Sequence, residues 1–190
     1  MKKLVFCVLL ISSIDVLAQR PPAISSPDVH ADNSITFRYF SPTAKHVVLN
    51  GEFLSKPIAL QKDSVGIWTV TVPPVVPDIY PYSFWVDSVE TADPSNTYIF
   101  TNERFKRSIV EVSGGQPLIH SLKDVPHGKI SYRYYTSRTL NRTRQLLVYT
   151  PPGFNPVQKN KYPVLYLIHG GSDTEQTWTK VGRAHLIADN

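Results

Sequence analysis

Residues 164–171, Val-Leu-Tyr-Leu-Ile-His-Gly-Gly, join an apolar run to two adjacent glycines. A backbone that leaves a strand through glycines can approach a bound molecule closely, because no Cβ stands in the way. Preorganised N–H donors on such a loop stabilise the negative charge that acyl transfer builds on a former carbonyl oxygen. Gly170 and Gly171 are therefore candidate oxyanion donors. Taken alone, they read more readily as an ordinary strand-to-helix turn. His169, which precedes them, is read as structural.

Other residues invite chemistry less strongly. Alternation places Tyr82, Phe84 and Val86 on one face of a strand and Ser83, Trp85 and Asp87 on the other. Trp85, and Trp68 in Gly66-Ile67-Trp68, are candidate glycan contacts; each could stack on a sugar or pack against protein, packing being the commoner role. His120 and His127 lie seven apart in a proline-containing connector, with no cysteine and few carboxylates nearby. That is a poor ligand set, so no metal or other cofactor is implied. Ser172-x-x-Glu175 has the spacing of a helix capping box, which makes Ser172 an expected cap.

The elements that must hold these residues fall into two groups. Short alternating runs are expected strands over Ser34–Phe40, His46–Leu49, Ile67–Val72, Tyr80–Val86 and Ser108–Val112. Turn residues separate them, among them Asn50-Gly51, Pro73-Pro74 and Gly114-Gly115. This pattern predicts an all-β sandwich over 19–115, followed by a linker over 116–127. A second unit, 128–190, begins with an expected hairpin, Lys129–Thr136 and Gln145–Tyr149 around Leu140-Asn141-Arg142. A near-continuous apolar strand, Pro163–Ile168, then leads into His169-Gly170-Gly171, with helix expected within Thr179–Asn190.

Composition sets the class and the compartment. Hydrophobic residues make up 42% and aromatic residues 11% of 190, which fits a globular chain with real cores. Lys2 and Lys3, the apolar stretch Leu4–Ile11 and Val16-Leu17-Ala18 read as a signal peptide over 1–18, cut near Ala18. The protein is thus expected to be secreted or periplasmic. The single cysteine, Cys7, lies in that leader, so no disulfide framework is implied. No stretch is long and apolar enough to span a membrane as a helix. The net charge of +5 is mild, and the basic cluster Arg133, Arg138, Arg142 and Arg144 reads as a solvated strand face, with no nucleic-acid motif.

Two resemblances add to this reading. Val125-Pro126-His127-Gly128, Arg144-x-x-x-Val148-Tyr149-Thr150-Pro151-Pro152-Gly153-Phe154, Tyr162–Gly171 and Trp178-Thr179-x-Val181-Gly182-Arg183-Ala184 resemble, in order, the start of an α/β-hydrolase esterase of the esterase D type. Feruloyl and acetyl-xylan esterases belong to that group. Val48-x-Asn50-Gly51-Glu52-Phe53, Gly66-Ile67-Trp68 and Tyr82-x-Phe84-x-Val86-Asp87 before Asp93-Pro94 resemble the early-set, immunoglobulin-like sandwich akin to carbohydrate-binding module 48. The resemblance implies serine-dependent hydrolysis of an ester on plant cell-wall polysaccharide, with Gly170 or Gly171 as one oxyanion donor. It also requires Gly-x-Ser-x-Gly, then an acid, then a histidine. Ser172 is the only serine after the loop, and it is not in such an elbow. The expectation is therefore an N-terminal fragment of a carbohydrate esterase, without the triad and inactive alone. The alternative is a non-catalytic glycan-binding or spacer module.

Overall fold

The computed structural model describes residues 22–157 and 161–190. The expected leader, 1–18, lies outside them. Two antiparallel sheets form the sandwich. One joins β1 (Asp28–Val29), β2 (Ile35–Phe40), β6 (Ile67–Val72) and β5 (Gln61–Lys62), in that order. The other runs β4 (Ile58–Ala59), β3 (Val47–Gly51), β7 (Asp78–Val86), β10 (Lys106–Val112) and β9 (Ile99–Thr101). The short β8 (Val89–Thr91) pairs with the last residues of β7, beyond the part that pairs with β10.

Period-two alternation explains the core. Val47 and Leu49 on β3, Trp68 and Val72 on β6, Tyr82 and Phe84 on β7, and Val110 and Val112 on β10 meet Ile35 and Phe37 of β2 between the sheets. Each such side chain contributes about 1.5–3 kcal/mol on burial. Aromatic edges add geometry: the Phe37 and Tyr82 rings sit 4.8 Å apart, and Tyr39 meets Phe84 at 5.1 Å.

One sequence expectation changes here, and five short strands are added. Asn50-Gly51 is not a turn; both residues extend β3 and pair with Ser83 and Tyr82. Gly51 is needed for a packing reason, since a Cβ there would stand 2.6 Å from the Phe53 ring. The strands β1, β4, β5, β8 and β9 are two or three residues each, too short for alternation to reveal them.

The second unit departs further. β11 (Lys129–Ser137) and β12 (Arg142–Thr150) form the expected hairpin, with a nine-pair ladder. The expected strand Pro163–Ile168 belongs to no sheet. Val164, Leu165, Tyr166 and Ile168 are at least 70% exposed. No α/β-hydrolase sheet forms among the described residues, so only the sandwich half of the expected fold is visible. A strand exists only through a neighbour that takes up its N–H and C=O groups, and none of the described strands lies beside this one. The capping-box expectation also fails. Ser172 adopts φ 64° in a turn, and α1 (Thr177–Lys180) starts later, with Gln176 at its cap and no side-chain capping bond. A second helix, α2, covers Ala184–Asp189.

Candidate active-site loop and glycan face

The Gly-Gly loop is built by contacts at both ends. Behind it, Trp178 of α1 donates its indole N–H to the Ile168 carbonyl at 3.1 Å. Within it, the Gly170 carbonyl accepts from His169 Nδ1 at 2.9 Å and from the Asp173 N–H at 3.2 Å. That single acceptor closes a turn over 170–173 and fixes the imidazole tautomer, since a carbonyl only accepts. The N–H groups of Gly170 and Gly171 have no acceptor among the described residues. A Cβ on Gly171 would meet nothing within 4 Å, so its surroundings are open to an approaching group. His169, half-buried, is thus tied to the loop's own backbone.

The loop does not stand apart from the sandwich. Asn102, 3% exposed in the turn between β9 and β10, donates its amide to Asp173 Oδ1 at 2.7 Å. Glu103 N–H donates to the Ser172 carbonyl at 2.8 Å. A polar cleft opens beside these contacts, lined by Glu103, Arg144, His169, Asp173 and Glu175 with neighbouring threonine and glutamine side chains. Further along, Arg183 donates to Glu111 Oε2 at 2.6 Å, and its guanidinium lies over the Tyr98 ring. The Tyr98 hydroxyl also donates to the Lys180 carbonyl.

A second junction ties the hairpin to α2. Asp189, with a side chain 2% exposed, accepts from Tyr149 OH at 2.6 Å, Gly128 N–H at 2.9 Å and His127 Nδ1 at 2.9 Å. His127 is thus engaged with Asp189, while His120 Nε2 is buried without a partner among the described residues. Burial, the hydrogen bond to Asp189 and its negative charge push the Tyr149 hydroxyl up to about 12. Ultraviolet titration is expected to show one tyrosine ionising at about 12, and Asp189→Asn to bring it back toward 10. An unmoved Tyr149 in that variant would show that the junction is absent in solution. Nothing in the sequence marks the contacts of Asn102 or Asp189, and Arg183 shows there only as part of a motif; Asn102 and Arg183 act through partners more than 70 residues away, and Asp189 through partners 40 to 62 residues away.

The two tryptophans separate. Trp68 is 6% exposed, packs in the core and donates its indole N–H to the Ser41 carbonyl at 2.9 Å. Its Nζ neighbour Lys62 stands 5.3 Å from the ring centroid. Trp68 is thus placed mainly for packing. Trp85 is 39% exposed on the sheet face opposite Phe84, with Val48 and Glu90 directly across the ladders.

Two sheets thus enclose the apolar core, and Trp85 stands outside it. Residues 25–99 match carbohydrate-binding module 48, the isoamylase N-terminal domain. The module accounts for β1 to β8 and the start of β9. The chain is also 32% identical over 174 residues to the endo-1,4-beta-xylanase/feruloyl esterase of Xylanibacter ruminicola. That match covers 89% of this chain, so it takes in most of both units, and 24% of the relative. The chain therefore spans about a quarter of that protein's length. A stretch of 49 residues is 41% identical to the 1,4-alpha-glucan-branching enzyme of Yarrowia lipolytica, covering 24% of this chain and 7% of that enzyme. Among solved structures, the enterobactin esterase FES from Shigella flexneri is similar at a TM-score of 0.47 and 15% identity, over 60% of this chain and 39% of that one.

Proposed function

We propose that the chain is the N-terminal part of a secreted carbohydrate esterase, the module-48 sandwich leading into the first elements of an esterase D-type α/β-hydrolase unit. The parent reaction is serine-dependent hydrolysis of a feruloyl or acetyl ester on a plant polysaccharide such as xylan. The identity to the xylanase/feruloyl esterase, which extends beyond the module into the second unit, carries this reading. The open N–H groups of Gly170 and Gly171 support it, because an oxyanion donor must not be committed to another acceptor. Residues 1–18 are proposed as the export leader, cut near Ala18.

The reading frame past codon 190 provides the test. A Gly-x-Ser-x-Gly elbow followed by an acid and a histidine, and release of ferulate or acetate by the chain so encoded, are the expected results. A frame lacking that order overturns the proposal. The 190-residue chain itself, which holds no such elbow, is expected to leave methyl ferulate at the background rate. Turnover that disappears in Ser172→Ala would contradict this.

The module match and the exposed Trp85 favour a second activity in the same chain, binding of polysaccharide. Retardation on xylan in affinity electrophoresis is expected, with Trp85→Ala weakening it about tenfold, the scale of one lost aromatic anchor. Equal mobility of both proteins with and without xylan removes Trp85 as a contact.

A further inference from the structure

We infer that Asn102 of the sandwich is a positioning residue for the Gly-Gly loop, so that the sandwich forms part of the esterase site instead of acting as a detached spacer. The inference rests on the reading of Gly170 and Gly171 as oxyanion donors.

Asn102 is built for this. Its side-chain oxygen accepts from Arg104 N–H at 2.9 Å, its N–H donates to the Phe105 carbonyl at 3.2 Å, and its own carbonyl accepts from Lys106 Nζ at 2.8 Å. These bonds hold the β9–β10 turn rigid and leave the amide nitrogen aimed outward. That nitrogen meets Asp173 Oδ1, a charge-assisted bond. The other carboxylate oxygen of Asp173 lies against Gly170, where an added Cβ would stand 3.1 Å from it. The Asp173 N–H closes the turn on the Gly170 carbonyl. A continuous chain of contacts thus runs from the β9–β10 turn of the sandwich through Asn102 and Asp173 to the backbone whose N–H groups must point at the substrate. Donors that are already oriented need no reorganisation when charge develops. The same turn places Glu103 on the wall of the cleft, facing Arg144 and His169, so a bound ester with its sugar would touch both units.

Amide exchange on the 190-residue chain tests the clamp, and it reads the contact whatever reaction the loop serves. Two amides report it: Glu103 from the sandwich side and Asp173 from the loop side. Asn102→Asp keeps the acceptor for Arg104 and sets a carboxylate against Asp173. It is expected to speed exchange at both reporters about tenfold or more, the scale of one lost hydrogen bond to a charged group. Ile67–Val72 should stay protected, and Leu186, held behind the separate Arg183–Glu111 contact, should not change. The exchanged pair, Asn102→Asp with Asp173→Asn, restores one donor facing one acceptor and is expected to recover slow exchange, which loss of folding could not produce. Asp173→Ala, which leaves the module untouched, should release Glu103 as Asn102→Asp does. Unchanged exchange at Glu103 and Asp173 in the single variants, or a double variant as fast as Asn102→Asp, overturns the inference. Failure of the esterase reading would show instead in the reading frame and the turnover assays, with these exchange rates unaffected.

Discussion

Asp93→Ala is expected to destabilise the sandwich by about 2–4 kcal/mol. Asp93 is 2% exposed, and its carboxylate accepts from Ser26 Oγ at 2.6 Å, Tyr82 OH at 2.8 Å and Ser95 N–H at 2.8 Å. Its own N–H donates to Ser108 Oγ at 2.9 Å. This residue ties the lead-in before β1 to the centre of β7 and to the loop before β9. Removing it strands buried donors, each costing about 1–3 kcal/mol. Tyr82 keeps a bond from Asn96, and a buried charge is relieved, so the losses do not simply add. For a domain of this size each kcal/mol moves the midpoint by about 4–8 °C, which thermal unfolding followed by tryptophan fluorescence resolves easily. A midpoint within 2 °C of the parent, well inside ~4 °C per kcal/mol, would show that the network contributes nothing.

The pH dependence has a definite sign. Burial raises the Asp93 carboxyl above its ordinary value, against the hydrogen bonds from Ser26, Ser95 and Tyr82, which lower it. The charged form is therefore disfavoured in the fold. Above the raised folded value Asp93 carries this penalty in full. As pH falls through that value toward the unfolded ~3.9, the penalty is relieved. Asp93→Asn should remove this part of the pH dependence and leave the contribution of the other carboxylates unchanged.

Amides of Val164–Ile168 are expected to exchange at rates near those of an unstructured chain, while amides of Ile67–Val72 are slowed at least about a thousandfold. β6 lies between β2 and β5, so its amides open only with the sandwich, at a cost of about 5 kcal/mol or more. Residues 164–168 have no ladder, and their side chains stand in solvent. The same exposure makes this segment the chain's main aggregation hazard, since it combines free backbone groups with Val, Leu, Tyr and Ile. Covering these side chains would contribute about 1.5–3 kcal/mol each. Equal, strong protection of both segments in a monomer, checked by sedimentation, would mean that residues 163–168 are paired after all.

The amino-acid sequence by itself determined the sandwich. Five of its strands are six to nine residues long or nearly so, and over that length alternation separates Tyr82 and Phe84 from Trp85 without ambiguity. It also determined the hairpin, whose strands pair with close neighbours in sequence. Local pattern is enough where the partner is local, or where one face is wholly apolar. Tertiary structure decided the rest. An apolar run such as Val164–Ile168 states a preference for burial, yet burial requires a neighbour that the run does not contain. Trp68 and Trp85 have equal claims as residue types, and only packing placed one in the core and the other outside. Ser172 has the spacing of a cap, but Glu103 and Asn102 hold its turn from across the fold, and the helix begins later. Those contacts join residues about 70 positions apart. No periodicity or spacing within a short window encodes such a pairing; it exists only once the β9–β10 turn and the Gly-Gly loop have been brought to the same place.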